Sequence, residues 1–266
     1  MIQFHRVTRK YGHKTAVCEL DLAVSAGELF AFLGPNGAGK TTTIKMLSCL
    51  LRPTEGSITV CGHDTVRSPR EAARNVGYVP DEPHLYDKLS GREFLEFVAR
   101  MHGLGSAQTE DRIERESDRF AMRDFLCELT ETYSHGMKQR LVFAAALIHD
   151  PAVLVVDEPM VGLDPKSVRM VKDLFRAATR RGTAVFMSTH TLSVAEELAD
   201  RIAIIDAGRL RFLGALEDLG RQTAGDHGSL EHLFLELTNG NGRAPEDLAA
   251  RSESDGCART DDNRRG

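Results

Sequence analysis

Gly34-Pro35-Asn36-Gly37-Ala38-Gly39-Lys40-Thr41 follows an apolar run, Leu29–Leu33, and opens a segment with helical spacing, Thr41–Leu51. The octet fits the pattern G-x-x-x-x-G-K-[ST] in full. Glycines let a backbone close around phosphate oxygens with its N–H groups turned inward. The helix behind the loop adds the positive end of its dipole. Lys40 is expected to reach the β- and γ-phosphates of a nucleotide, and the Thr41 hydroxyl to help hold Mg2+. Strand, glycine-rich turn and helix in that order point to an α/β fold built around a phosphate loop.

Three more apolar runs of strand length lie downstream: Ala152–Val156, Ala184–Met187 and Ile202–Ile205. Helically spaced segments separate or flank them, among them Glu93–Met101, Val168–Thr179 and Thr191–Asp200. Short buried strands alternating with helices predict a mixed, largely parallel sheet with helices on both faces. Between Asp81 and Ile148 the strand signal disappears. Arg92–His102 reads as an amphipathic helix, Thr109–Arg119 as a solvated helix dense in both charges, and Gly136–Ile148 as an apolar one. Residues 82–148 are therefore expected to be a helical subdomain inserted into the α/β core of a domain spanning 1–238. Residues 239–266 hold one leucine and no aromatic residue, the composition of a disordered tail.

A chain of 266 residues can bury a sizeable core unaided. Its net charge of −5 argues against a dedicated nucleic-acid binder, and no nucleic-acid partner is expected. The five cysteines are odd in number and contain no CxxC pair, which excludes a zinc framework and fits a reducing compartment. Most are expected to be small core residues. The longest apolar run, Leu141–Ile148, is too short to cross a bilayer. Met1-Ile-Gln-Phe-His-Arg6 shows no signal-peptide core. The expectation is an intracellular protein that meets a membrane only through a partner.

Val153-Leu-Val-Val-Asp157-Glu158-Pro159 supplies the second half of a phosphate site. Asp157 falls at the tip of a buried strand, where a P-loop ATPase keeps its Mg2+ partner. Glu158 points to the other face of the strand end and is placed to accept a proton from an attacking water.

Three further segments narrow the reading. Tyr133-Ser134-His135-Gly136-Met137-Lys138-Gln139-Arg140 precedes that strand by a helix, Gly162-Leu163-Asp164-Pro165 follows Glu158, and Ser188-Thr189-His190 ends the next apolar run. In this order they resemble the signature motif, D-loop and switch histidine of the ABC ATPase family, over about residues 1–237. The resemblance implies a P-loop NTPase core with ATP and Mg2+ as cofactors. It places Thr42 with the phosphate loop, Tyr11 against the adenine, and His190 against the γ-phosphate and attacking water. It sets Ser134, His135, Gly136 and Met137 on the ATP of a second ATPase subunit and Asp164 across the dimer interface. It also implies a head-to-tail dimer whose ATP-driven closure works an integral membrane permease, through the helical subdomain, from the cytoplasmic face.

Two departures stand out. After Val76-Gly-Tyr-Val-Pro80 the family usually has Gln, whereas this chain has Asp81 and Glu82. Asp81 either approaches the metal, where a cation would hold its pKa down, or caps the helical segment. His135 replaces the usual first glycine of the signature, and Met137-Lys138 replaces two glutamines. This variant, with the late Ser229–Leu237 helix, resembles bacterial exporter-type ABC ATPases. A soluble ABC ATPase that remodels proteins or assembles metal clusters is the alternative. A ribosome-binding ABC factor usually has two cassettes, and this chain has one.

Overall fold

A computed structural model of the chain describes residues 1–215 and 230–238. Strands β3 (Leu29–Leu33), β6 (Val76–Val79), β7 (Val153–Asp157), β8 (Ala184–Thr189), β9 (Arg201–Asp206) and β10 (Arg209–Ala215) form a sheet ordered β10-β9-β3-β8-β7-β6. Every pairing from β9 to β6 is parallel, and β10 joins β9 antiparallel. The four apolar runs read from the sequence are β3, β7, β8 and β9.

These strands are continuous apolar runs because both sheet faces are covered. Successive side chains alternate between the faces. Phe30 and Phe32 join one core with Phe4, Ile44 and Phe186; Leu29, Ala31 and Leu33 join the other with Phe143 and Phe175. Helix α1 (Lys40–Leu47) and a second, antiparallel sheet cover the first face. That sheet runs β2-β1-β4-β5, from β1 (Ile2–Tyr11), β2 (Lys14–Val24), β4 (Glu55–Val60) and β5 (His63–Asp64). The sequence reading missed it. The β1–β2 register shifts repeatedly, and Arg6 and Glu19 take left-handed backbone. Bulges of this kind break the alternation by which a strand is recognised. Helix α1 is also shorter than expected, and Cys49 turns left-handed just behind it.

After the short α2 (Pro69–Arg74) and β6, the chain is helical until β7: α3 (Gly91–Met101), α4 (Ser106–Arg119) and α5 (His135–Leu147). Ser90 starts α3 with a reciprocal capping box to Glu93. Helix α4 departs from the solvated expectation. Ile113, Glu116 and Ser117 are buried, and Glu116 accepts hydrogen bonds from Arg115 Nε at 2.8 Å and Arg119 Nη1 at 2.9 Å. Two arginines of the same helix thus make a buried carboxylate tolerable. Helices α6 (Pro165–Arg180), α7 (Leu192–Leu198) and α8 (Leu230–Thr238) complete the described chain. Residues 239–266 lie outside it.

None of the four described cysteines is fully buried: Cys18, Cys49 and Cys61 are half-buried, with Cys49 and Cys61 packed against the core, and Cys127 is exposed. Among the described residues no helix is long and apolar enough to cross a membrane.

Where the helical segment meets the sheet, the rings of His102 and His149 stack 3.5 Å apart. His149 Nε2 lies 3.1 Å from the Val76 carbonyl oxygen. Burial, and after it the neighbouring His102, push His149 down to about 4. An unfolded histidine titrates near 6.5. Between those values the unfolded chain binds more protons, so stability should fall as pH drops from about 6.5 toward 4. His149→Asn should remove about 1–2 kcal/mol of that dependence, its partial exposure allowed for. Denaturation midpoints of both proteins across this window measure the difference; parallel curves would dismiss the effect.

Candidate active site

Strand β3 stops at Leu33, and the loop from Gly34 delivers the chain into α1. Gly39 has φ 114°, and a Cβ there would lie 2.5 Å from the Ala16 carbonyl oxygen. Only glycine combines that backbone with that approach to β2. Asn36 and Gly37 form the exposed tip of the loop, Pro35 is half-buried, and Gly34 and Ala38 are buried beneath it. Thr41 is exposed on the first turn of α1, with Thr42 half-buried beside it.

Lys40 is only 7% exposed. Its Nζ donates to the carbonyls of Gly34 at 2.7 Å and Pro35 at 3.4 Å, and lies 3.6 Å from Glu158 Oε1. Parallel pairing brings the ends of β7 and β8 to the same edge, with Asp157 opposite Ser188. Asp157 is buried, and the Ser188 hydroxyl donates to it. Sequence reasoning gave Ser188 no role. Its partner is 31 residues away and only strand register joins them.

Glu158 has φ 47°, a left-handed backbone uncommon for a side chain of this size. The turn swings its carboxylate off the strand axis. Glu158 Oε2 lies 2.9 Å from His190 Nδ1 and accepts from the His190 backbone N–H at 3.3 Å. Lys40, Glu158 and His190 therefore form a chain of contacts across the carboxyl edges of three strands. Ligands of α/β folds bind at this edge.

Asp81 belongs to the same neighbourhood. Its carboxyl is raised above the usual range, first by burial and then by the charges of Asp157, Glu158 and Glu82, with His190 opposing. The chain's own groups thus act on Asp81 in the direction opposite to the one expected of a bound cation. The helix-cap alternative is removed, since Ser90 caps α3. Among the described residues no cluster of three His, Cys, Asp or Glu forms a ready cation cage. Mg2+ keeps few protein ligands and completes its shell with phosphate and water, so the exposed Thr41 hydroxyl and the buried Asp157 carboxylate are donors of the kind it takes.

Other expected residues gather elsewhere. Tyr11 ends β1, half-exposed, with the Arg9 guanidinium 4.6 Å from its ring centre. Ser134 caps α5 by accepting from the Met137 N–H, and His135, Gly136 and Met137 form the first turn. The His135 ring lies over Gly162, where a Cβ would be 3.3 Å from Nε2. Asp164 caps α6, accepting from the N–H groups of Lys166 at 2.9 Å and Ser167 at 3.1 Å, and from the Ser167 hydroxyl at 2.6 Å. Ser167 first among these donors holds its carboxyl below the usual range. That cap was legible as Asp before Pro at a helix start.

Residues 17–161 match the family described as ABC transporter. The chain is 42% identical over 218 residues to the daunorubicin resistance ATP-binding protein DrrA3 of Streptomyces coeruleorubidus, covering 82% of this chain and 69% of the relative. It is 38% identical to the ABC transporter ATP-binding protein NatA of Bacillus subtilis, over 83% and 89% of the two chains. A solved ATP-binding subunit of an ABC transporter superposes with a TM-score of 0.84 at 31% identity, over 89% of this chain and 99% of the other. A dimeric ATP-binding cassette in a post-hydrolysis state, bound to ADP and Pi, shares the fold at a TM-score of 0.74 and 24% identity, over 81% and 99%.

A raised carboxylate stabilises the folded chain less as pH rises through the carboxylate range. Asp81→Asn removes a charge repelled by Asp157 and Glu158. Without nucleotide or divalent cation at neutral pH, it should raise the melting temperature by roughly 1–2 °C. An unchanged or lower melting temperature would count against a shared carboxylate field.

Proposed function

Because this chain belongs to the ABC transporter family, we propose that it is the ATP-hydrolysing subunit of an exporter, acting with a second ATPase subunit and separately encoded membrane permease chains. The observation that carries this reading is the Lys40–Glu158–His190 line beside the glycine-rich loop. The backbone N–H groups of Gly37–Thr42 take the phosphate oxygens. Lys40 turns from the Gly34 and Pro35 carbonyls toward the β- and γ-phosphates. Thr41 and Asp157 would hold Mg2+, which would supply charge against that developing on the phosphates, with Asp81 in the same neighbourhood. Glu158, relieved of Lys40, accepts the proton of the attacking water. His190 orients Glu158 and faces the γ-phosphate, and Tyr11 stacks on the adenine.

Ser134, His135, Gly136 and Met137 act on the ATP of the partner subunit, and Asp164 keeps its loop shaped at the interface. Bound ATP then joins two subunits, and hydrolysis removes charge-assisted hydrogen bonds between them. The drug-resistance name of the Streptomyces relative supports export. A groove of about 320 Å3 between the sheet and the helical segment supports a permease contact on the cytoplasmic face. Leu50, Tyr78, Pro80, Phe94 and His102 line it, and Tyr86, Phe97 and Met101 stand exposed nearby on the same helical segment. Pro80 links the groove directly to Asp81, so a push on the groove reaches the site.

Glu158→Gln should retain ATP binding, lose about 10²–10⁴-fold in turnover and accumulate as an ATP-bound dimer. Unchanged hydrolysis would exclude Glu158 as the base. Asp81→Asn should need more Mg2+ for half-maximal hydrolysis, and superimposable titrations would remove Asp81 from the metal's surroundings.

Lys40→Ala and Ser134→Ala should each be inactive alone. Mixed, half of the dimers carry one intact head-to-tail site, so roughly a quarter of wild-type activity should return. No recovery from folded, exchanging subunits would defeat the shared-site arrangement.

A further inference from the structure

Opposite the catalytic edge, at the amino ends of β7 and β8, a cavity of about 440 Å3 lies between α4 and the sheet. It is ~16 Å from Asp157 along β7. Arg115 and Arg119 enter it from the helical segment, and Arg181 from the turn before β8. Arg112 stands behind them, paired with Asp150.

The charges there do not cancel. Glu116 is shared by Arg115 and Arg119, and Asp150 by Arg112 and Arg115. Arg181 has no carboxylate partner among the described residues. Four guanidinium groups thus face two carboxylates. The carbonyl ends of α5 and α6 contribute about half a negative charge each, which leaves on the order of one positive charge unmatched. Burial, then the like charges of Arg181 and Arg115, push Arg119 below its ordinary pKa against the pull of Glu116. An adjoining hollow of about 430 Å3 shares Arg119 and Arg181 and adds Lys166 and Arg169 against a single acid, Asp173. The basic character therefore continues along α6.

We propose that this seam binds a phosphate group, held between Arg119 of the helical segment and Arg181 of the core, in a second anion site distinct from the nucleotide loop. Planar guanidinium forks match phosphate oxygens bidentately. The cavity exceeds one phosphate ion and has apolar walls at Leu147 and Pro151, so it suits a phosphate carried on a small organic body. A phosphate here would screen the Arg119–Arg181 repulsion and tie the helical segment to the sheet, stiffening the joint that the proposed transport cycle flexes.

The test uses the full chain with ADP and Mg2+ at saturation, so that the glycine-rich loop is filled. Inorganic pyrophosphate is titrated in one arm by calorimetry, and phosphatidylglycerol vesicles are added in the other. Wild type should bind one pyrophosphate per chain, with a dissociation constant below about 1 mM. Arg181→Gln, an exposed change, should weaken binding at least about tenfold; Arg119→Gln provides a second probe. Vesicle binding that depends on Arg181, without pyrophosphate binding, would assign the phosphate to a lipid headgroup. Binding unaltered in folded Arg181→Gln and Arg119→Gln would overturn the proposal. So would no saturable binding of either probe by wild type.

Discussion

A buried ammonium must be compensated, and the compensation of Lys40 organises this molecule. Withdrawing the charge from water without partners would cost several kcal/mol. The Gly34 and Pro35 carbonyls and the Glu158 carboxylate supply those partners. They come from the end of β3 and from the residue after β7, while His190 on Glu158 follows β8. One cation thus depends on three strands ending at a common edge. In the proposed function a triphosphate would satisfy the same ammonium with stronger, charged acceptors. The partners that hold the loop together are therefore those the proposed nucleotide would replace.

The legible parts of the fold were those where one local rule decided the outcome. β3, β7, β8 and β9 are covered on both faces, so hydrophobicity alone marked them. The antiparallel sheet was illegible because its register slips around Arg6 and Glu19, mixing inward and outward residues. β6 offered four residues, one of them glycine. α4 was misjudged for a different reason. Its charges looked like a solvated face, yet Glu116 is interior because arginines one residue before and three residues after it fold onto it.

The site divides in the same way. The loop Gly34–Thr41 between strand and helix, and Asp157 at a strand tip, were legible as structure because each lies within one contiguous stretch of sequence. Ser188 was not, since its role exists only through pairing with β7. Asp164 was read for a distant partner, and its immediate work is to start α6. Asp81 was read through an expected cation, while burial first and the surrounding carboxylates second act on it within the chain itself.

Glu158 holds its position at a cost to folding. A left-handed backbone in a side chain of this kind costs on the order of 1 kcal/mol, and its carboxylate is one of the charges that raise Asp81. Glycine would relieve the backbone strain, but it would take from the buried Lys40 its one carboxylate partner among the described residues. A chain selected for backbone ease alone would carry glycine there; with Glu158 as the proposed base, a stability–activity trade-off is written into a single backbone angle.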